Sequence, residues 1–374
     1  MSILQICLNV TTIHVTVHRY IARFQRGCLQ NRLSIMPNSR RLTLRDIAKQ
    51  AGVSYQTVSR VINNHPYVAE ETRQRVSNLI AQLDYHPNKA ARSLAGHRAN
   101  AIALVASDIQ DYGPSQVVIN IERAAKAAGY DLVLSIAADT STSSMRAAIN
   151  SVLHWQVDGI LILKPIRGVS YEEMVQISGG LPLVQINSQH DQIVPSLMVD
   201  QDHGTRLLLD HLYNLGHRDF CMIHGPSHYY DAIARQLACE SILREKGLYP
   251  SATREGDWSA ASGYKAMQSI LGQGIRFTAV FAANDQMALG AMRALREHGL
   301  RIPEDVSIVG FDDVPESAYF EPPLTTIQQN FALLGEQSIN YLVECIEKPD
   351  TPIECRYIRP HFVERLSTAA PRTS

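Results

Sequence analysis

Thr43 to Asn63 reads TLRDIAKQAGVSYQTVSRVIN, and this stretch sets the architecture of the N-terminal part of the chain. Thr43 has the side chain of a helix N-cap, and Asp46 three residues on can reach back to it. Leu44, Ile47, Ala48 and Ala51 recur at helical spacing and supply one apolar face. Gly52 then permits a sharp turn. Ser54 can cap a second helix, in which Val58, Val61 and Ile62 point toward the first. That leaves Tyr55, Gln56, Ser59 and Arg60 outward near its start. Two helices joined this way form a helix-turn-helix, whose second helix enters the DNA major groove by its N-terminal residues. Arg60 can bond guanine O6 and N7 bidentately, and Gln56 can pair with an adenine edge. Tyr55 offers a hydroxyl, and a ring for a thymine methyl or a phosphate. A lone outward arginine is ordinary on any surface helix; the whole unit is not.

A third helix is expected from about Glu70 to Leu83, with Glu70 and Glu71 suiting its dipole and Ala69 a poor cap. NKAARSLAG follows at Asn88 to Gly96, capped by Asn88 and stopped by the glycine. So short a helix is unstable alone in water and folds only against DNA or a partner chain. Upstream, residues 1–35 carry Arg19, Arg23, Arg26 and Arg32 and no acidic residue. A transit peptide is one reading. A secretory signal fits poorly, because His14 and His18 interrupt the apolar stretch. The preferred expectation is a leader preceding a true start at Met36. The expected divisions are therefore 1–35 leader, 36–86 DNA-binding domain, 87–99 hinge helix, 100–367 effector-binding and dimerisation domain, and 368–374 tail.

Charge supports the division. The 374 residues carry a net charge of −1, yet Arg40 to Arg98 balances at +6 and Ala99 to Ser374 at −11. A basic head on an acidic body means that only the head meets a polyanion. The cysteines Cys7, Cys28, Cys221, Cys239, Cys345 and Cys355 form no C-x-x-C and no cluster with histidine, which argues against zinc and disulfides and fits a reducing cytosol. No apolar run is long enough for a membrane span.

From Ala101 the pattern becomes strand and helix in alternation. AIALVA (Ala101 to Ala106), DLVLSI (Asp131 to Ile136), GILIL (Gly159 to Leu163) and PLVQI (Pro182 to Ile186) read as buried strands, with helices near Ser115 to Ala128 and Ser143 to His154. A second series from Gly204 contains DFCMIHG (Asp219 to Gly225), TAVFAAN (Thr278 to Asn284) and SIVGFDD (Ser307 to Asp313). Two series predict two doubly wound parallel-sheet lobes of periplasmic-binding-protein type, with ligands beyond the carboxyl ends of strands. Asn284-Asp285 and Asp312-Asp313 fall there. Carboxylates and amides suit sugar hydroxyls, though Asp312 and Asp313 equally suit the capping of the next turn. Trp258, read as lying in a polar loop between a helix and a helix start, is favoured as a ring platform over a core residue.

SYQTVSRVIN (Ser54 to Asn63) and PNKAARSLAG (Pro87 to Gly96) resemble the LacI/GalR family of bacterial transcription regulators. So do EGDWSA (Glu255 to Ala260), ANDQMALGAMRA (Ala283 to Ala294) and PPLTTI (Pro322 to Ile327) in the body. The resemblance implies operator reading by Tyr55, Gln56 and Arg60, with Ser59 beside them. It also implies phosphate or groove contacts by Lys89 and Arg92, and Leu94 wedged into the minor groove. It further implies effector contacts by Ser107, Arg235, Trp258, Asn284, Asp312, Gln329 and Phe331, with Pro114 near the aglycone end. Two pocket positions depart from expectation: Leu163 stands in place of an amide and Asn187 in place of a carboxylate. The implied protein is a cytoplasmic homodimer on pseudo-palindromic double-stranded operator DNA, released by a sugar, a β-galactoside, with corepression the weaker alternative. The chain ends at STAAPRTS (Ser367 to Ser374) without leucine heptads, so a dimer rather than a coiled-coil tetramer is expected.

No cofactor is expected. A transport-type sugar-binding protein shares the body but not the head. An enzyme lacks support, since G-x-x-x-x-G-K-[ST], G-x-S-x-G and H-E-x-x-H are all missing. Arg60→Ala should cost about 1–3 kcal/mol of operator binding and relax discrimination at one guanine. Binding to a set of singly mutated operators checks this; uniform weakening on every sequence would make Arg60 a phosphate contact.

Overall fold

The computed structural model describes residues 42–62, 65–83, 85, 98–107, 109–139, 141–163, 169–187 and 194–372. They form two compact units, one within 1–89 and one within 90–374. Met36, Lys89, Arg92 and Leu94 lie outside the described residues, as does most of the expected hinge helix.

The first unit is all helical: α1 (Leu44–Ala51), α2 (Tyr55–Ile62) and α3 (Glu70–Gln82). Thr43 and Asp46 close a capping box: Thr43 Oγ1 accepts from Asp46 N at 3.3 Å, and Thr43 N donates to Asp46 Oδ2 at 2.8 Å. Gly52 ends α1 in the left-handed region at φ 64°, the conformation that favours glycine. Ser54 Oγ accepts from Thr57 N at 3.1 Å and starts α2. Ile47, Ala48, Ala51, Val58, Val61, Val76 and Tyr85 form the small core. Ile62, expected inward, is half-buried. Ala69 gives α3 no side-chain cap.

The second unit holds two parallel sheets. The first contains β1 (Ala101–Ala106), β2 (Asp131–Ile136), β3 (Gly159–Leu163), β4 (Leu183–Ile186), β5 (Ser196–Val199) and β11 (Cys355–Ile358), in the order β2-β1-β3-β4-β5-β11. Successive side chains of β1 serve opposite faces. Ile102, Leu104 and Ala106 pack with α4 (Tyr112–Ala127) and α11 (Phe331–Glu347), while Ala103 and Val105 pack with α5 (Thr142–Leu153) and α6 (Tyr171–Ile177). The second sheet runs β7-β6-β8-β9, from β6 (Phe220–His224), β7 (Pro250–Glu255), β8 (Ala279–Ala282) and β9 (Ser307–Val309). Around its core lie α7 (Gln201–Asn214), α8 (Tyr230–Glu245), α9 (Ala260–Leu271) and α10 (Asp285–Glu297). β10 (Thr326–Gln328) and β12 (His361–Val363) pair antiparallel beside it.

The lobes are not two consecutive series, as the sequence suggested. The chain passes from first lobe to second between β5 and α7, returns between β10 and α11, and leaves again between β11 and β12. The cause is α11, whose Leu334, Ile339 and Leu342 complete the core of the first lobe. A second correction concerns Trp258, which follows strand β7 rather than a helix. β7 escapes a sequence reading because its burial pattern shows only Ala252 fully inside. Among the described residues no helix is long and apolar enough to cross a membrane.

Helices α9 and α10 cross through two glycines. A Cβ on Gly290 would come to 2.6 Å from Tyr264 N and closer still to Ala260 O, and one on Gly263 would meet the Met287 backbone. Gly290→Ala is therefore expected to destabilise the second unit by about 1–3 kcal/mol, despite the better helix propensity of alanine. Urea unfolding followed by circular dichroism checks it; an unchanged midpoint would refute the close-packing account.

Candidate functional site

A cavity of about 300 Å³ opens where the carboxyl ends of both sheets face each other. The first lobe contributes Pro114 from the first turn of α4, Leu163 at the end of β3, Asn187 after β4 and Phe331 at the start of α11. From the second lobe come Arg235 on α8, Trp258 after β7, Asn284 after β8 and Asp312 after β9. Gln329 sits on the crossover between β10 and α11. Ser107 is not brought to the lining. It directly follows β1 and is fully buried, and its hydroxyl has no hydrogen-bond partner among the described residues.

The electrostatic centre is a buried ion pair. Arg235 is 3% exposed, and its Nη2 lies 3.5 Å from Oδ1 of Asp312. Its Nε donates to Gln201 Oε1 at 2.9 Å, its Nη1 donates to the carbonyl of Ala283, and its plane lies 3.7 Å from the Phe311 ring centre. Gln329 Nε2 donates to Asp312 Oδ1 at 2.6 Å. Burial pushes the Asp312 carboxyl up to about 6, against the opposing pull of Arg235 and Gln329. The sequence left Asp312 and Asp313 open between ligand contact and turn cap. The structure divides the two: Asp312 borders the cavity, while Asp313 accepts from Ser317 at 3.3 Å in the following turn and from Arg365 at 2.6 Å. Both have positive φ, 113° and 55°, a conformation that aspartate tolerates better than most residues.

Asn284 has a structural duty. Its Oδ1 accepts from Met287 N at 2.9 Å as the cap of α10, and its Nδ2 donates to the Trp258 carbonyl at 3.0 Å. The Trp258 ring lies against Gly225, where a Cβ would collide with it, and meets Tyr229 edge-on with centroids 6.2 Å apart. Beneath the site Asp285 is fully buried, accepting from Thr326 Oγ1 at 2.6 Å and Val314 N at 2.8 Å. Burial and the Asp312 charge raise its carboxyl well above the usual range.

Sequence reading missed Tyr112, Tyr229, Tyr230, Asp231 and Gln286, all of which line the cavity. HYYDAIAR (His228 to Arg235) held a signal, because Asp231 and Arg235 are one helical turn apart on the same face. Among the described residues no group of three or more histidine, cysteine or acidic side chains is placed to hold a metal. In the first unit Tyr55, Gln56 and Arg60 are exposed on α2 and Ser59 is half-buried.

A helix-turn-helix followed in one chain by a two-lobed cleft defines a class, that of DNA-binding regulators with an effector module. Residues 43–88 match the family described as bacterial regulatory proteins, lacI family, and residues 209–368 match the periplasmic binding protein-like domain. The lactose operon repressor of Escherichia coli K12 is 37% identical over 89% of this chain and 92% of its own. The HTH-type transcriptional repressor PurR of Erwinia tasmaniensis is 33% identical over 87% and 97%. A crystal structure of the lac repressor dimer bound to operator and the anti-inducer ONPF superposes with a TM-score of 0.81 at 35% identity, covering 88% of this chain and all of that one. A complex of the regulator CelR with cellobiose gives 0.63 at 29% identity, covering 87% and 100%. The chain belongs to the lacI family of bacterial regulatory proteins.

In the unfolded chain Asp312 titrates near the ordinary value of 3.8, against about 6 when folded. The folded state therefore binds more protons between these values, and the contribution of this carboxyl to stability falls as pH rises from about 4 through about 6. The difference between the parent and Asp312→Asn stability profiles should show that decline, on the order of 2–3 kcal/mol. Urea titrations from pH 4 to 8 check it; a difference profile that rises with pH would contradict the burial account.

Proposed function

We propose that this chain represses a sugar-utilisation operon by binding its operator and is released when a sugar, a β-galactoside, occupies the cleft. One observation carries the reading: Arg235, Trp258, Asn284, Asp312, Gln329 and Phe331, drawn from four strand ends and two helices, converge on a single cavity. Aromatic faces beside carboxylates and amides are the chemistry that holds a sugar ring. The named relatives are repressors rather than enzymes.

In this reading residues 36–86 bind DNA, with Tyr55, Gln56, Ser59 and Arg60 of α2 against base edges. Residues 87–99 connect that head to the effector-binding residues 100–367, and Lys89, Arg92 and Leu94 act at the operator centre. A two-fold dimer matches a pseudo-palindromic operator. The chain works where the bacterial chromosome is, in the cytoplasm. The effector acts by binding one lobe arrangement better than another, and only that difference in affinity moves the DNA equilibrium.

The response should be release. Titrating lactose and related β-galactosides into a labelled operator complex should weaken binding by about 5- to 150-fold. Deleting residues 1–98 should remove DNA binding and leave sugar binding intact. A β-galactoside that tightens the operator complex, or a complex indifferent to every sugar, overturns the reading.

A further inference from the structure

We propose that Gln201 is a positioning residue of the effector response: its side-chain amide ties the guanidinium of Arg235 to the first passage between the lobes, and without it sugar still binds while the operator is no longer released. The proposal rests on the sugar-effector reading above and names a residue through which that reading operates.

The first support is place. Gln201 is 3% exposed and does not border the cavity, so an effector in the cleft does not touch it. It opens α7 directly after the chain has left β5 and crossed from the first lobe. The same turn is fastened to the third passage. Asp200 N donates to the carbonyl of Ile358 at 2.9 Å, where β11 ends, and α7 packs so closely on Pro360 that a Cβ on Gly204 would come to 3.1 Å from it.

The second support is the bonding of the amide. Oε1 accepts from Arg235 Nε at 2.9 Å, and Nε2 donates to Asp231 Oδ1 at 3.3 Å. The amide can be turned only this way, because a guanidinium nitrogen needs an acceptor and a carboxylate a donor. Arg235 and Asp231 both border the cavity from α8. The other partners of Arg235 are the Ala283 carbonyl after β8 and Asp312 and the Phe311 ring after β9. These three belong to the second lobe and keep the guanidinium in the pocket whatever stands at position 201. Among the described residues, only Gln201 joins it directly to a passage. An effector moves the DNA equilibrium only through contacts whose energy differs between two lobe arrangements. A buried bond from a charged donor, made at the point where the lobes join, is such a contact.

The test compares full-length Gln201→Met and Gln201→Glu with the parent. Calorimetry with lactose and cellobiose selects the tighter sugar, and labelled operator is titrated with and without it. Methionine fills the space but offers Arg235 no oxygen; glutamate keeps the acceptor and loses the donor to Asp231. The methionine variant should bind the sugar within about threefold of the parent, yet release operator by about twofold or less where the parent gives roughly 5- to 150-fold. The glutamate variant should keep the release factor within about twofold of the parent. A side chain that only fills space predicts the reverse order, since methionine preserves volume and glutamate adds a carboxylate beside Asp231. If the methionine variant melts early, Gln201→Asn, which shortens the reach of the amide, takes its place with the same expected loss. Full release in the methionine or asparagine variant, or loss of release in the glutamate variant alone, overturns the proposal and leaves the sugar-effector reading standing. A parent whose operator binding neither sugar changes overturns that reading and this proposal with it.

Discussion

The pair formed by Arg235 and Asp312 is the constraint on which the second unit turns. Two charges removed from water are tolerated only when their remaining hydrogen-bonding capacity is met, and loss of one partner strands the other. Here the guanidinium is met by a side chain of α7, the carbonyl after β8 and a flat ring after β9. The carboxylate is met by Gln329. The geometry of this one arginine thereby fixes where four segments end, and these ends are the floor of the cavity.

Two of its partners stand on the crossovers. Gln201 opens α7 immediately after the first passage between lobes, and Gln329, reached through Asp312, lies on the second. The charge network and the connections that set the spacing of the lobes are consequently one object. On the functional reading proposed above, a ligand hydroxyl placed against Asp312 acts at the hinge itself, and no long relay through the core is needed for the lobes to respond.

Much of this was legible in the chain. β1 and β3 lie where their apolar runs predicted, because strands buried on both faces leave continuous hydrophobic signatures; β2 also falls on its predicted residues, but it forms the sheet edge and none of its side chains is fully buried, against the buried strand expected. The Thr43–Asp46 box and Gly52 are local chemistry, and local chemistry survives in sequence. β10 and β12 are three residues each and too short to carry a period. β7 lies at a sheet edge with alternate polar residues, so the loop around Trp258 was misplaced between helices. Membership of α11 in the first lobe is decided by packing across about 130 residues of intervening chain, between β5 and α11, which no window sees. Tyr230 and Asp231 line the cavity from the first turn of α8, one turn before Arg235, and that spacing was the signal the sequence held.

The three passages between lobes also order events on the ribosome. The first sheet lacks its edge strand until Ile358 has been made, roughly 270 residues after the helical head is complete. At roughly 5–20 residues per second this interval is some tens of seconds. Throughout it a nascent chain carries a finished reading head and an unfinished sensor, so nothing small can yet govern it. Synthesis close to the gene it acts on would let such chains meet DNA before they are able to let go.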